Sequence, residues 1–160
     1  MLYTPHFLTG AAILKAVPNP LVGLPLAFAS HILLDLLPHH DFDITPGFTL
    51  KDLKYMEKRR KYLLFFSVGL DFIFLLISFL WVLLIRGPLA ISARSPLENN
   101  YLMLAGGIIA ISPDVIDQTA VALDYKLPAW QNRFQWKVAA KYGFITYPIV
   151  SIIALYFLVI

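Results

Sequence analysis

The chain has no cysteine among its 160 residues. That excludes disulfides, thiolate metal sites and a cysteine nucleophile. Charge is scarce too. Asp, Glu, Lys and Arg make up 14% of the residues, where soluble domains carry about 25%. Apolar residues reach 59% and the mean hydropathy is +0.70. This balance argues against a soluble globular domain and for an integral membrane protein, a single domain over residues 1–160. The N-terminus, Met-Leu-Tyr-Thr-Pro-His, lacks the basic residues that open a signal peptide, and Lys15 follows the apolar part. Residues 1–17 are therefore expected in the mature protein.

What the chain does have is long apolar segments, and five are recognisable. Tyr62–Ile85 is 24 residues with one charge, Asp71, enough to cross about 30 Å of hydrocarbon as a helix. Tyr142–Ile160 has 19 residues and no charge. Asn19–Leu37 is a third span, with Pro20 in its first turn, where proline is tolerated. Segments 5–17 and 98–112 are short, as half-spans or helices buried among the others would be. Ser112-Pro113-Asp114 reads as a fresh helix start, with Ser as N-cap, Pro at the first position and an acid in the first turn. A break is expected there, followed by an interfacial helix over 113–125. Lys51–Lys61 is expected to extend the long third helix, and 87–97 is a loop by its Gly and Pro content. The fold class expected is all-α, a polytopic membrane helical bundle of about five membrane segments plus an interfacial helix.

The basic residues orient these segments. The pI of about 9.2 does not signal nucleic-acid binding, because the cations are not spread over one face. Six fall in the connection 38–61 (Lys51, Lys54, Lys58, Arg59, Arg60, Lys61) and four in 113–141, against Lys15, Arg86 and Arg94 on the other side. The rich loops belong in the cytoplasm. That puts the N-terminus inside and the C-terminus outside, in what is expected to be a prokaryotic inner membrane. Trp130 and Trp136 fit one interface and Trp81 the other.

One stretch concentrates chemistry. His31-Ile-Leu-Leu-Asp35-Leu-Leu-Pro38-His39-His40-Asp41-Phe-Asp43 holds three of the four histidines. On a helix, His31 and Asp35 share a face. The topology brings His6, His31, Asp35, His39, Asp114 and Asp117 to one side, with Asp71 at comparable depth. Asp71 invites a functional reading because an acid inside a span is costly. Imidazole and carboxylate without thiolate suit Zn, with Mn, Fe or Mg also compatible, as one or two ions. The expected metal ligands are His6, His31, Asp35, Asp114 and His39. Asp71 and Asp117 are expected as catalytic groups, a general base or groups that orient the ligands. His40, Asp41 and Asp43 would form a mouth at the surface. Each has a plainer alternative: a helix-packing pair for His31 and Asp35, an interhelical partner for Asp71, a solvated loop for His39 to Asp43.

Pro5-His6-Phe-Leu-Thr-Gly10 resembles the opening His-x-x-x-Gly of the small membrane-bound metal-dependent hydrolases. Gly107-Ile-Ile-Ala-Ile-Ser-Pro113-Asp114-Val-Ile-Asp117 is similar to that family's Gly-rich helix ending in Pro-Asp-x-Asp, with one residue more between the acids. His31-x-x-x-Asp35 resembles its His-x-x-x-Asp helix. Together with Pro38 and His39 or His40 it also resembles the His-x3-Asp-x3-Pro-x-His pattern of zinc-dependent phospholipase C, with one residue fewer before the proline. The order of the motifs differs from the family's, and its His-Arg-Gly-x-Thr-His stretch is absent. The resemblance implies a metal site used for hydrolysis of a phosphoester or lipid-linked substrate. Anionic headgroups would gather near Lys51–Lys61, and no nucleic acid is expected as a partner. Two other classes compete with a hydrolase: a non-catalytic membrane scaffold with a vestigial site, and a metal-ion or proton transporter using the same cluster.

Overall fold

The computed structural model describes residues 3–39, 49–84, 96–125 and 143–160. These residues are helical almost throughout, with no strand among them. The helices are α1 (Tyr3–Ala16), α2 (Pro20–Asp35), α3 (Leu50–Tyr55), α4 (Lys58–Leu84), α5 (Pro96–Ala122) and α6 (Gly143–Val159). Among them α4 is the helix both long and apolar enough to cross a membrane; α2 and α6 are shorter apolar helices. His40, Asp41, Asp43, Trp130 and Trp136 lie outside the described residues.

The local chemistry explains most boundaries. Asn19 caps α2, accepting a hydrogen bond from Leu21 N at 3.0 Å, and Pro20 stands at the first helical position. Lys51–Lys61 is not a continuous extension of the long helix. Met56 turns to an extended conformation (φ −61°, ψ 140°) and separates α3 from α4. The Asp52 carboxylate accepts from Thr49 N at 2.9 Å and fixes the start of α3.

The break expected at Ser112 does not occur. Helix α5 runs unbroken through Pro113. Proline there removes the N–H that would bond the Ile109 carbonyl. Ser112 Oγ donates to that same carbonyl at 2.8 Å, so the freed acceptor is satisfied and the helix can continue. The separate interfacial helix over 113–125 is thus the last part of α5. It ends where Asp124 adopts a left-handed conformation (φ 53°) and Tyr125 N bonds back to Ala120 O at 2.8 Å. Lys51 Nζ reaches Asp124 at 2.7 Å, so α3 lies beside the end of α5. That carboxylate raises the Lys51 ammonium above the ordinary lysine value.

Helix α1 is the hub and packs against α2, α4, α5 and α6. Its closest neighbour is α5. A Cβ on Gly106 would lie 2.5 Å from the Gly10 carbonyl oxygen, and one on Gly107 would lie 2.5 Å from the Phe7 ring. Small residues let two backbones touch, which is how helices associate where no water drives burial. Phe7, Leu8, Ala11, Val82, Met103, Leu104, Ala154 and Leu158 fill the space around the crossing. The outer surface is apolar as well: Phe66 is 67% exposed and Leu84 72%.

The two kinds of glycine give a direct contrast. A Cβ added to Gly69 on α4 would meet nothing within 4 Å, so Gly69→Ala should leave stability unchanged or raise it by up to about 1 kcal/mol. Gly106→Ala must push two backbones apart and should cost about 1–3 kcal/mol. Thermal unfolding of both variants in detergent checks this; equal midpoints would show that the crossing is not tight.

Candidate metal centre

The site is assembled from three helices at the level of the first turns of α1. His6 comes from α1, His31 and Asp35 from α2, and Asp114 from α5. All four side chains are buried, and His6, His31 and Asp35 are completely so. The i, i+4 spacing of His31 and Asp35 places both on the face of α2 turned to α1 and α5. The glycine crossing brings α5 near enough for Asp114 to reach both rings.

The distances are short and paired. His6 Nε2 stands 3.2 Å from Asp35 Oδ1 and 3.8 Å from Asp114 Oδ2. His31 Nε2 stands 3.3 Å from Asp35 Oδ2 and 4.0 Å from Asp114 Oδ1. The two imidazoles lie with centroids 4.3 Å apart and planes inclined by 35°. His6, His31 and Asp114 each offer a ligand atom within 4.8 Å of the others, so this group could hold a metal ion. The His6 ring nitrogens make no hydrogen bond to the described residues. Such burial is costly for polar atoms unless a further partner is present. Two ligands on one tetrahedral ion are about 3.3 Å apart, which the two shortest contacts match.

Asp71 has another task. Its Oδ2 accepts from Tyr3 N at 2.7 Å and its Oδ1 from Thr4 N at 3.1 Å, and Tyr147 Oη also donates to Oδ1. Thr4 Oγ1 donates to the Asp71 carbonyl at 3.1 Å. A carboxylate from α4 therefore caps the N-terminus of α1, where orphan N–H groups and the helix dipole favour negative charge. Asp71, expected as a catalytic group, turns its oxygens to the start of α1 and caps it.

Two other expected residues lie outside the group of His6, His31 and Asp114. His39 is buried, but its Nδ1 lies 2.8 Å from Leu37 O and it is not among the residues that converge on His6 and His31. Asp117 is half-buried, one turn beyond Asp114 and outside the converging group.

Tyr3 and Tyr147 were not anticipated. Tyr3 lies within electrostatic reach of Asp114, Asp71 and Asp117, and Tyr147 holds Asp71. The spacing Tyr3-x-x-His6 is the signal for the first of these, once α1 is known to begin at residue 3. No protein-family profile, no curated protein and no solved structure matches this chain.

If Asp71 is a cap, Asp71→Ala should lower stability by about 2 kcal/mol or more, since it strips a cap and leaves buried donors unmatched. Asp71→Asn keeps an acceptor and should cost less. Thermal unfolding in detergent with metal content measured alongside decides the matter. Lost metal with an unchanged unfolding midpoint in Asp71→Ala would return Asp71 to the metal centre.

Proposed function

We propose that this protein is a membrane-embedded metal-dependent hydrolase acting on a phosphoester or lipid-linked substrate. The observation that carries the reading is the convergence of two histidines and two carboxylates from three helices in a fully buried position. A structural hydrogen-bonded pair needs only His31 and Asp35. Four ligand-type groups gathered without thiolate suit a hard or borderline divalent ion, with Zn foremost.

The membrane setting is supported by α4, whose large apolar side chains face outward along its length. A soluble monomer does not display contiguous apolar surface on that scale. Helix α1 is too short to span, at roughly 21 Å by its rise per residue. It begins against Asp71, roughly 20 Å along α4 from Lys58, and so acts as a half-span whose first turn carries His6. The exposed cations of α3 and early α4 sit where a cytoplasmic headgroup layer would meet them. Their bias supports an N-terminus inside and a C-terminus outside.

The lipid-linked part of the reading rests on a groove. A cavity of about 750 Å³ runs along α1 between α2 and α6, lined by Thr9, Ile13, Leu34, Leu37, Val150 and Phe157 among others. That size is typical of a site for a small organic molecule. Leu34 adjoins Asp35 in sequence, and Thr9 is one turn from His6, so one end of the groove approaches the centre. At its far end Lys15 Nζ donates to the carbonyls of Phe157 and Leu158, at 3.3 and 2.9 Å. Thr146 Oγ1 donates to Pro38 O at 2.5 Å and ties α6 to the end of α2.

A bound divalent ion would polarise the scissile group and activate water. Hydrolysis then joins the water oxygen to the phosphorus or acyl carbon, breaks the ester bond and leaves a proton on the departing oxygen. His6, His31, Asp35 and Asp114 would hold the ion. Asp117 and the Tyr3 hydroxyl are the nearby groups able to exchange a proton or orient the substrate.

Protein purified without chelator should contain a divalent transition metal, and exhaustive chelation should lower its unfolding midpoint. An ion at one hundred times its dissociation constant stabilises by about 2.7 kcal/mol. His31→Ala should bind less metal than the wild type and lose stability by an amount of that order. A screen of phosphoesters and lipid-linked esters with Zn, Mn and Mg supplied should reveal turnover in the wild type and none in His31→Ala. Metal-loaded protein inactive throughout that screen would favour a scaffold.

A further inference from the structure

The four ligand-type groups are arranged as a reciprocal set. Asp35 turns Oδ1 to His6 and Oδ2 to His31. Asp114 turns Oδ2 to His6 and Oδ1 to His31. Each imidazole nitrogen therefore faces one oxygen of each carboxylate, and each carboxylate addresses both rings. All four contacts are at most 4.0 Å. Two ligands on opposite sides of one ion can be no more than about 4.2 Å apart, so each of these four histidine–carboxylate contacts is short enough for both atoms to share an ion.

The rings point the same way. Two imidazoles on a single tetrahedral ion would hold their centroids about 5 Å apart, given a metal–nitrogen distance near 2.1 Å. Here the separation is 4.3 Å with the planes inclined by only 35°. Rings nearly side by side, each with its own ion, suit the separation of about 3.5–4 Å found between ions in two-metal sites.

We propose that His6, His31, Asp35 and Asp114 hold two divalent ions, one on each histidine, with both carboxylates bridging them. This deepens the metal reading above and rests on it. Charge then names the substrate class. Two carboxylates neutralise one divalent ion, and the second leaves an excess of two positive charges in a buried setting. Such a centre takes an anion, and among the candidate substrates that is the phosphoester. A two-ion clamp also matches the two oxygens, attacking and leaving, of an in-line displacement at phosphorus.

The test uses the full-length protein in detergent, stripped of metal and reloaded with Mn. Elemental analysis should give two Mn per chain, with a low-temperature paramagnetic resonance spectrum of an exchange-coupled pair. Inorganic phosphate should bind the loaded protein and not the stripped one by calorimetry. One Mn per chain with the resolved signal of an isolated ion overturns the two-ion site while leaving a metal centre. No bound Mn, Zn or Fe overturns that reading as well. Two coupled ions without phosphate binding overturn the anionic substrate. His6→Ala, checked for an unchanged elution volume, should retain one uncoupled ion; retention of a coupled pair would also sink the proposal.

Discussion

Everything at the centre depends on where α1 begins, and the Asp71 carboxylate sets that point. It accepts the first N–H groups of α1 from a position deep within α4, with Tyr147 of α6 holding the same carboxylate. Three helices are tied at one level, and His6 follows within the first turn. A helix start buried in a bundle needs such a partner, because its orphan donors have no water to turn to. Without the cap, α1 could slide along its neighbours, and His6 would leave the plane of His31 and Asp35.

The glycine crossing completes what the cap begins. Asp71 fixes the height of α1, and Gly10 against Gly106 fixes its distance from α5. Asp114 comes into range of His6 only because those two backbones touch. Ser112 contributes in a quieter way. By taking up the carbonyl that Pro113 frees, it lets α5 continue as a helix through Asp114.

Much of this was legible in the sequence. Apolar length and scarcity of charge marked α4 and α6, and Asn19-Pro20 marked the start of α2. His31 and Asp35 declared themselves by their spacing, and His6 and Asp114 by chain topology. The misreadings share a cause: a local signal with two physical outcomes. Ser112-Pro113-Asp114 reads equally well as a cap or as a repaired helix interior, and only the hydroxyl's partner tells which. Asp71 is an acid in an apolar helix whether it holds an ion or a helix start. Its partners are backbone N–H groups that any residue possesses, so no side chain in the sequence could announce them. His39 follows the helix of His31 and Asp35 in sequence, and past Pro38 the helical register no longer says where its ring lies.

The contact between Gly10 and Gly106 reaches further than packing. Backbones in contact cannot move closer. The space between His6 and Asp114 is therefore set by main-chain atoms rather than by adaptable side chains. A space of that kind cannot shrink by the few tenths of an ångström that separate one divalent ion from another. Discrimination among ions by radius would then belong to two residues that carry no ligand atom at all.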